Sequence, residues 1–224
     1  MTERVLVVAA HPDDEALGCG GTIARHVAAG DAVSVLFLAD GQGSRGADDD
    51  EAAARRAMAH AAADALGTVP PRFEALPDNA MDTVALLEVV RLVERHAREI
   101  DPTRVYTHHA GDLNVDHRIA QQAVLTAFRP QPGSAVRGLY AFETPSATDY
   151  AGYARPGGFK PVRFVDIADV WAAKRAALEA YGPEMRPAPH SRSLEGVEAL
   201  ARWRGASVGL HMAEAFEVLR EIEA

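Results

Sequence analysis

The feature that most constrains this chain is the alternation of short apolar runs with segments of helical period. Val5 to Ala10 and Val33 to Ala39 each read as a strand buried on both faces, the kind a parallel sheet requires. Between them lies a helix, about Glu15 to Ala29, stopped by Gly30. A second helix runs from Glu51 to Leu66 and is closed by Gly67, and Phe73 to Leu76 forms a short strand. Leu86, Val90, Val93, Ala97 and Ile100 then recur at helical spacing, followed by a strand at Val105 to Thr107 and a helix from about His117 to Phe128. Val136 to Phe142 and Phe164 to Ile167 restart the β pattern. From Asp169 onward the pattern is helical, with Leu194, Val197, Leu200 and Ala201 on one face and Met212, Phe216, Leu219 and Ile222 on another. Strand, helix, strand, helix is the order of an α/β fold with crossovers on both faces of the sheet. The Pro/Gly-rich stretches Arg129 to Ser134 and Arg155 to Pro161 are too short for flexible linkers, so the expectation is one domain over 1–224.

Composition narrows the function classes. The 224 residues are 48% hydrophobic and carry a net charge of −9, which excludes disorder and disfavours nucleic acid or an anionic membrane as partner. The single cysteine, Cys19, offers neither an internal disulfide nor a thiolate cluster, so any metal must be held by His and carboxylates. The apolar run after the N-terminus is too short for a signal core or a membrane span, and the expected compartment is the cytoplasm, with no membrane insertion.

Two polar loops carry the chemistry. The first strand ends in His11-Pro12-Asp13-Asp14-Glu15, at the end of a strand where open α/β sheets gather ligands. Gly18, Gly20 and Gly21 follow, but adjacent carboxylates would repel a phosphate, so a dinucleotide site fails on charge. An acidic loop with a histidine suits a cation; the plainer alternative is that Asp13 or Asp14 caps the following helix. The second loop, after Val105 to Thr107, holds His108, His109, Asp112, Asn114, Asp116 and His117. If the loops face each other, His11, Asp14 and His117 supply two imidazoles and one carboxylate with a position left for water. That set suits Zn2+, and equally Fe2+ or another divalent metal.

The segments AHPDDE, LADGQGSRG, LPDNAMDT, VYTHHAGDLNVDHR and RWRGASVGLHMAEAF resemble the LmbE/PIG-L family of zinc-dependent de-N-acetylases. The resemblance spans nearly the whole chain and implies a Rossmann-like, three-layer αβα fold with a mostly parallel sheet, here with a helical C-terminal portion. It implies removal of an N-acetyl or N-acyl group from an amino-sugar-containing small molecule. His11, Asp14 and His117 then correspond to metal ligands, Asp13 to the general base, and Arg55 and Asp78 to substrate-binding residues. The expected partner is a small N-acetylated amino sugar or glycoconjugate, and assembly into a homo-oligomer is left open.

One position departs from the family. Where many members carry a His three residues before the last metal ligand, this chain has Asn114. Its amide can donate to an oxyanion but cannot deliver a proton, which leaves Asp13, His108 or His109 to protonate the leaving amine. Asp116 either accepts a hydrogen bond from a ligand imidazole or caps the helix at His117. Several residues read as structural: the run Asp48 to Glu51 as a solvated approach to a helix, Cys19, Trp171 and Trp203 as core, and His26, His60 and His96 as surface or packing groups. The loop from Met185-Arg186 to His190-Ser191-Arg192 is a candidate to close over a sugar. Rival readings are a hydratase or lyase on the same scaffold and a non-catalytic sugar-binding module.

Overall fold

A computed structural model describes residues 2–39, 49–152 and 157–223. Among these residues seven strands form one sheet: β1 (Arg4–Ala9), β2 (Ala32–Phe37), β3 (Arg72–Phe73), β4 (Arg104–His108), β5 (Gly138–Phe142), β6 (Arg163–Asp166) and β7 (Ala213–Glu221). Their spatial order is β3-β2-β1-β4-β5-β7-β6. β1 to β5 pair in parallel, and β7 runs antiparallel between β5 and β6. The α-helices among the described residues are α1 (Asp14–Ala28), α2 (Asp49–Leu66), α3 (Leu86–Ile100), α4 (Val115–Ala127), α5 (Trp171–Ala180) and α6 (Leu194–Ala206).

Alternation along β1 divides the core. Val5, Val7 and Ala9 face one layer with residues of α1, α2 and α5, while Leu6 and Val8 face the other with Val89, Val90 and Val93 of α3 and Ala120, Ala123 and Val124 of α4. Every one of these β1 side chains is fully buried, which explains the unbroken apolar run in the sequence. The architecture is the expected αβα sandwich with a mostly parallel sheet. Chain order turns from β1 outward to β2 in one direction and to β4 in the other, so a crevice opens at the carboxyl ends of β1 and β4.

The helical reading of the last segment is corrected. Met212, Phe216, Leu219 and Ile222 have helical spacing, yet residues 213–221 form β7. Tyr140 pairs with Val218 but Leu139 pairs with Arg220, so a bulge leaves Leu219 as an extra residue. Phe216 and Val218 therefore face one core layer and Leu219 the other. The bulge interrupts the period of two and imitates a helix in the sequence. Trp203 is likewise not core: it is 66% exposed on α6, whereas Trp171 packs against the core.

The glycines after the acidic loop serve packing. A Cβ at Gly18 would stand 2.3 Å from the Phe142 ring, and one at Gly21 2.6 Å from Ile167, so α1 can lie this close to its neighbours only with glycine there. The helix breaks at Cys19 (φ −146°, ψ 20°). Glu214 of β7 caps the second half by accepting from the backbone N–H of Gly21 (2.8 Å) and Thr22 (2.7 Å), and its charge is met by buried Lys174 at 2.6 Å.

Candidate metal centre

The loops after β1 and β4 meet in the crevice. His11 Nδ1 lies 3.3 Å from Asp14 Oδ2, and His117 Nε2 lies 3.3 Å from Asp14 Oδ1. One donor atom from each of these three residues falls within 4.8 Å of the others. The far nitrogen of each imidazole is backed by carboxylate: His11 Nε2 by Asp116 at 2.9 Å and Asp78 at 3.1 Å, His117 Nδ1 by Asp112 at 3.2 Å. The Asp112 contact lacks the alignment of a good hydrogen bond, so charge more than direction defines it.

The electrostatics follow from that enclosure. Burial alone would drive the imidazoles neutral, but Asp116, Asp14 and Asp78 raise His11 well above its ordinary pKa, and Asp14 and Asp112 push His117 up to about 9. Asp14 is held well below the carboxylate range because His117 and His108 outweigh its burial. The pocket thus favours positive charge at the point where the donor atoms converge. Two neutralisable imidazoles, one carboxylate and carboxylates behind the rings fit a divalent ion of the zinc type. A second trio, His11, Asp78 and Asp116, is also close enough to share an ion. Asp116 already accepts from the backbone N–H of Asn79 (2.6 Å) and Met81 (2.9 Å), so it is suited to orient His11 rather than to take a metal.

Asp13 sits at the N-cap position of α1 with φ 116°, a left-handed conformation costly for a residue with a side chain. Its side chain makes no cap bond, so the capping alternative does not hold for it. Instead its carboxylate accepts from Arg192 at 2.8 Å, and its backbone N–H donates to Glu15 Oε2 at 3.1 Å. Tyr181 holds the other Glu15 oxygen through its hydroxyl at 2.8 Å. Burial pushes Asp13 up to about 7 against the pull of Arg192, and Glu15 up to about 8 against its bond from Tyr181.

His11, Asp13, Asp14, Arg55, Asp78, Asn114 and His117 all line one cleft of about 270 Å3. Arg55 projects from α2 to Glu184 at 3.1 Å, while its neighbour Arg56 turns to the Phe73 ring. Asn114, not Asp116, caps α4: its Oδ1 accepts from the Asp116 N–H at 2.8 Å, and its Nδ2 donates to Asn79 at 3.2 Å. The alternative in which Asp116 caps is therefore corrected. His108 and His109, the other candidates for proton delivery, do not line the cleft. His108 stacks beneath His117 at 3.9 Å, accepts from the Ala10 N–H, and is held near a pKa of about 3 by burial and His117. His109 is turned to Glu217 (2.7 Å) and the Gly157 carbonyl. Arg192, in the polar, proline-flanked loop expected as a candidate to close over a sugar, does line the cleft, whereas Glu184 was missed as a wall residue. The glycine-rich stretch within LADGQGSRG and Asp48 lie outside the described residues, while Asp49, Asp50 and Glu51 open α2.

Comparison with known proteins adds ancestry to this geometry. A 1D-myo-inositol 2-acetamido-2-deoxy-alpha-D-glucopyranoside deacetylase of Rhodococcus erythropolis is 28% identical, over 84% of this chain and 83% of that protein. A 4-oxalmesaconate hydratase of Pseudomonas putida is 32% identical, over 79% of this chain and 72% of that protein. Among solved structures, N,N'-diacetylchitobiose deacetylase of Pyrococcus horikoshii superposes with a TM-score of 0.77 at 21% identity, covering 97% of this chain and 84% of that one, and shares the fold. The family described as PIG-L, GlcNAc-PI de-N-acetylase, matches residues 6–128, more than half of the chain and all of the segment bearing His11, Asp13, Asp14 and His117; the chain belongs to that family.

Proposed function

We propose that this protein is a metal-dependent N-deacetylase acting on a small molecule that contains an N-acetylated amino sugar. The observation that carries the reading is the convergence of His11, Asp14 and His117 in one cleft with Asp13, whose carboxylate is turned into that cleft instead of capping its helix. A divalent ion held by the three ligands, in our reading zinc, would acidify water and polarise the acetamide carbonyl. Asp13 takes the proton of the attacking water. As the water oxygen bonds to the acyl carbon, Asn114 offers the amide N–H that is not committed to Asn79 toward the developing oxyanion. The carbon–nitrogen bond breaks, Asp13 returns the proton to nitrogen, and acetate and a free amine leave. With His108 and His109 outside the cleft, Asp13 acts as both base and acid.

Asp116 orients His11, and Arg55 and Asp78 bind sugar hydroxyls, for which an arginine fork and a carboxylate are suited. The whole chain, 1–224, works as one domain on one sheet. Among the described residues no helix is long and apolar enough to cross a membrane, and we place the enzyme in the cytoplasm, with self-association left to measurement. The test is to load the protein with zinc and supply N-acetylglucosamine-containing compounds. Equal amounts of acetate and primary amine are expected. A second reading, hydration of a double bond conjugated to a carbonyl, draws on the 32%-identical hydratase. Loss of substrate absorbance on an unsaturated keto acid, without any amide cleavage, would replace the first reading with this one.

A further inference from the structure

The residues that match the family model end at 128, yet Asp13 is held from beyond that limit. Its backbone is tied through Glu15 to Tyr181, which follows α5, and its carboxylate is tied to Arg192, which precedes α6. Arg192 is itself anchored. Its Nε donates to Ser146 Oγ at 3.0 Å, its backbone N–H donates to His190 Nδ1 at 3.0 Å, and its side chain is only 21% exposed. Among the described residues, the two arginines lining the cleft differ: Arg55 answers Glu184, whereas Arg192 answers Asp13.

We infer that Arg192 is a positioning residue for the reaction: its guanidinium bridges Ser146 and Asp13, and so fixes the Asp13 carboxylate toward the metal centre in a backbone conformation that this residue would otherwise leave. The inference rests on the deacetylase reading for its kinetic consequence but not for its structural one. Two features favour bridging over a plain surface ion pair. The planar fork of a guanidinium holds its Nε–H toward Ser146 and its Nη–H toward Asp13 in one fixed geometry, whereas an ammonium presents its donors from a single nitrogen on a flexible stem. The φ of 116° at Asp13 also needs surrounding contacts to hold it, and no side-chain cap supplies them. The loop from Pro187 to Ser193 thereby becomes a wall of the site that the motif-bearing half of the chain does not encode.

The experiment compares Arg192→Ala and Arg192→Lys with the parent protein, each loaded with zinc, by kinetics, metal analysis and crystal structure. Arg192→Ala is expected to keep its metal and to lose about 100-fold in kcat with KM little changed, the size of effect a misplaced reacting group causes. Added guanidinium ion should restore part of that loss, which a merely structural role would not permit. Arg192→Lys, which keeps the charge and guards against a folding failure of the alanine variant, should fall between the two. In the variant crystal structure the Asp13 carboxylate should leave its position while His11, Asp14 and His117 stay. Unchanged kcat in both variants, or loss of metal in step with activity, would overturn the inference. If the parent protein cleaves no N-acetyl sugar, the deacetylase reading fails by itself. The structural arm then decides: a displaced Asp13 carboxylate upholds the positioning role, and an unmoved one ends it.

Discussion

Both ends of the sheet carry histidines in contact with aspartates, but only one end is built for a cation. At the amino ends of the strands, His26 Nδ1 lies 2.7 Å from Asp31, a closer contact than either imidazole makes with Asp14 in the cleft. Yet the His26 pKa is lowered, by burial and by Arg104 and Arg163 nearby, against the pull of Asp31. In the cleft the same burial is overcome, because carboxylates approach both nitrogens of each ring. A His–Asp contact is therefore no metal site by itself. The sign of the surrounding charge decides, and at the cleft that charge is negative.

Predictions sharpen this contrast, starting with the largest effect. Asp13→Asn should lower kcat by about a hundred- to ten-thousand-fold while metal content stays the same, as steady-state kinetics with elemental analysis will show. Asp112→Asn, which weakens the support behind His117, should reduce zinc affinity about 10- to 100-fold in a competition titration with a chelator. Asp31→Asn, at the other end, should leave that affinity untouched, and equal losses in both variants would break the comparison. Arg55→Ala should raise KM for an N-acetyl sugar more than it lowers kcat, while Arg56→Ala changes neither.

The smallest effect is in pH-dependent stability of the metal-free protein, where the two ends should act with opposite sign. His117, raised to about 9, contributes stability that is complete below the unfolded value of about 6.5 and is lost as pH rises through about 9. His26 is lowered, so below pH of about 6.5 the unfolded chain takes up that proton first and stability falls with falling pH. Urea unfolding across pH should show the alkaline loss flattened in His117→Ala and the acid loss flattened in His26→Gln. A matching change in both variants would show that the two sites share one electrostatic environment.

The parallel half of the molecule was legible in sequence because buried strands of a parallel sheet read as unbroken apolar runs, as β1 does. β7 was not legible, since its bulge at Leu219 gives a strand the spacing of a helix. At the site, His11, Asp13, Asp14, Asn114 and His117 come from the segments that follow β1 and β4, whose polar clusters stand out locally. The loop holding Arg192 also stood out as polar and proline-flanked, but its pairing with Asp13 did not, because the two are 179 positions apart and only the folded crevice brings them together. The support that Tyr181 gives to Glu15 is hidden for the same reason, and Asn114 could be seen as a departure from the family but not as the cap of α4.

The central claim is that a cation sits among His11, Asp14 and His117, and crystals grown with zinc test it directly by anomalous scattering above and below the metal edge. One strong peak is expected within about 2.0–2.2 Å of His11 Nδ1, His117 Nε2 and an Asp14 carboxylate oxygen. A strongest peak between His11 Nε2, Asp78 and Asp116, a peak at His26 and Asp31, or no peak at saturating zinc would contradict the account.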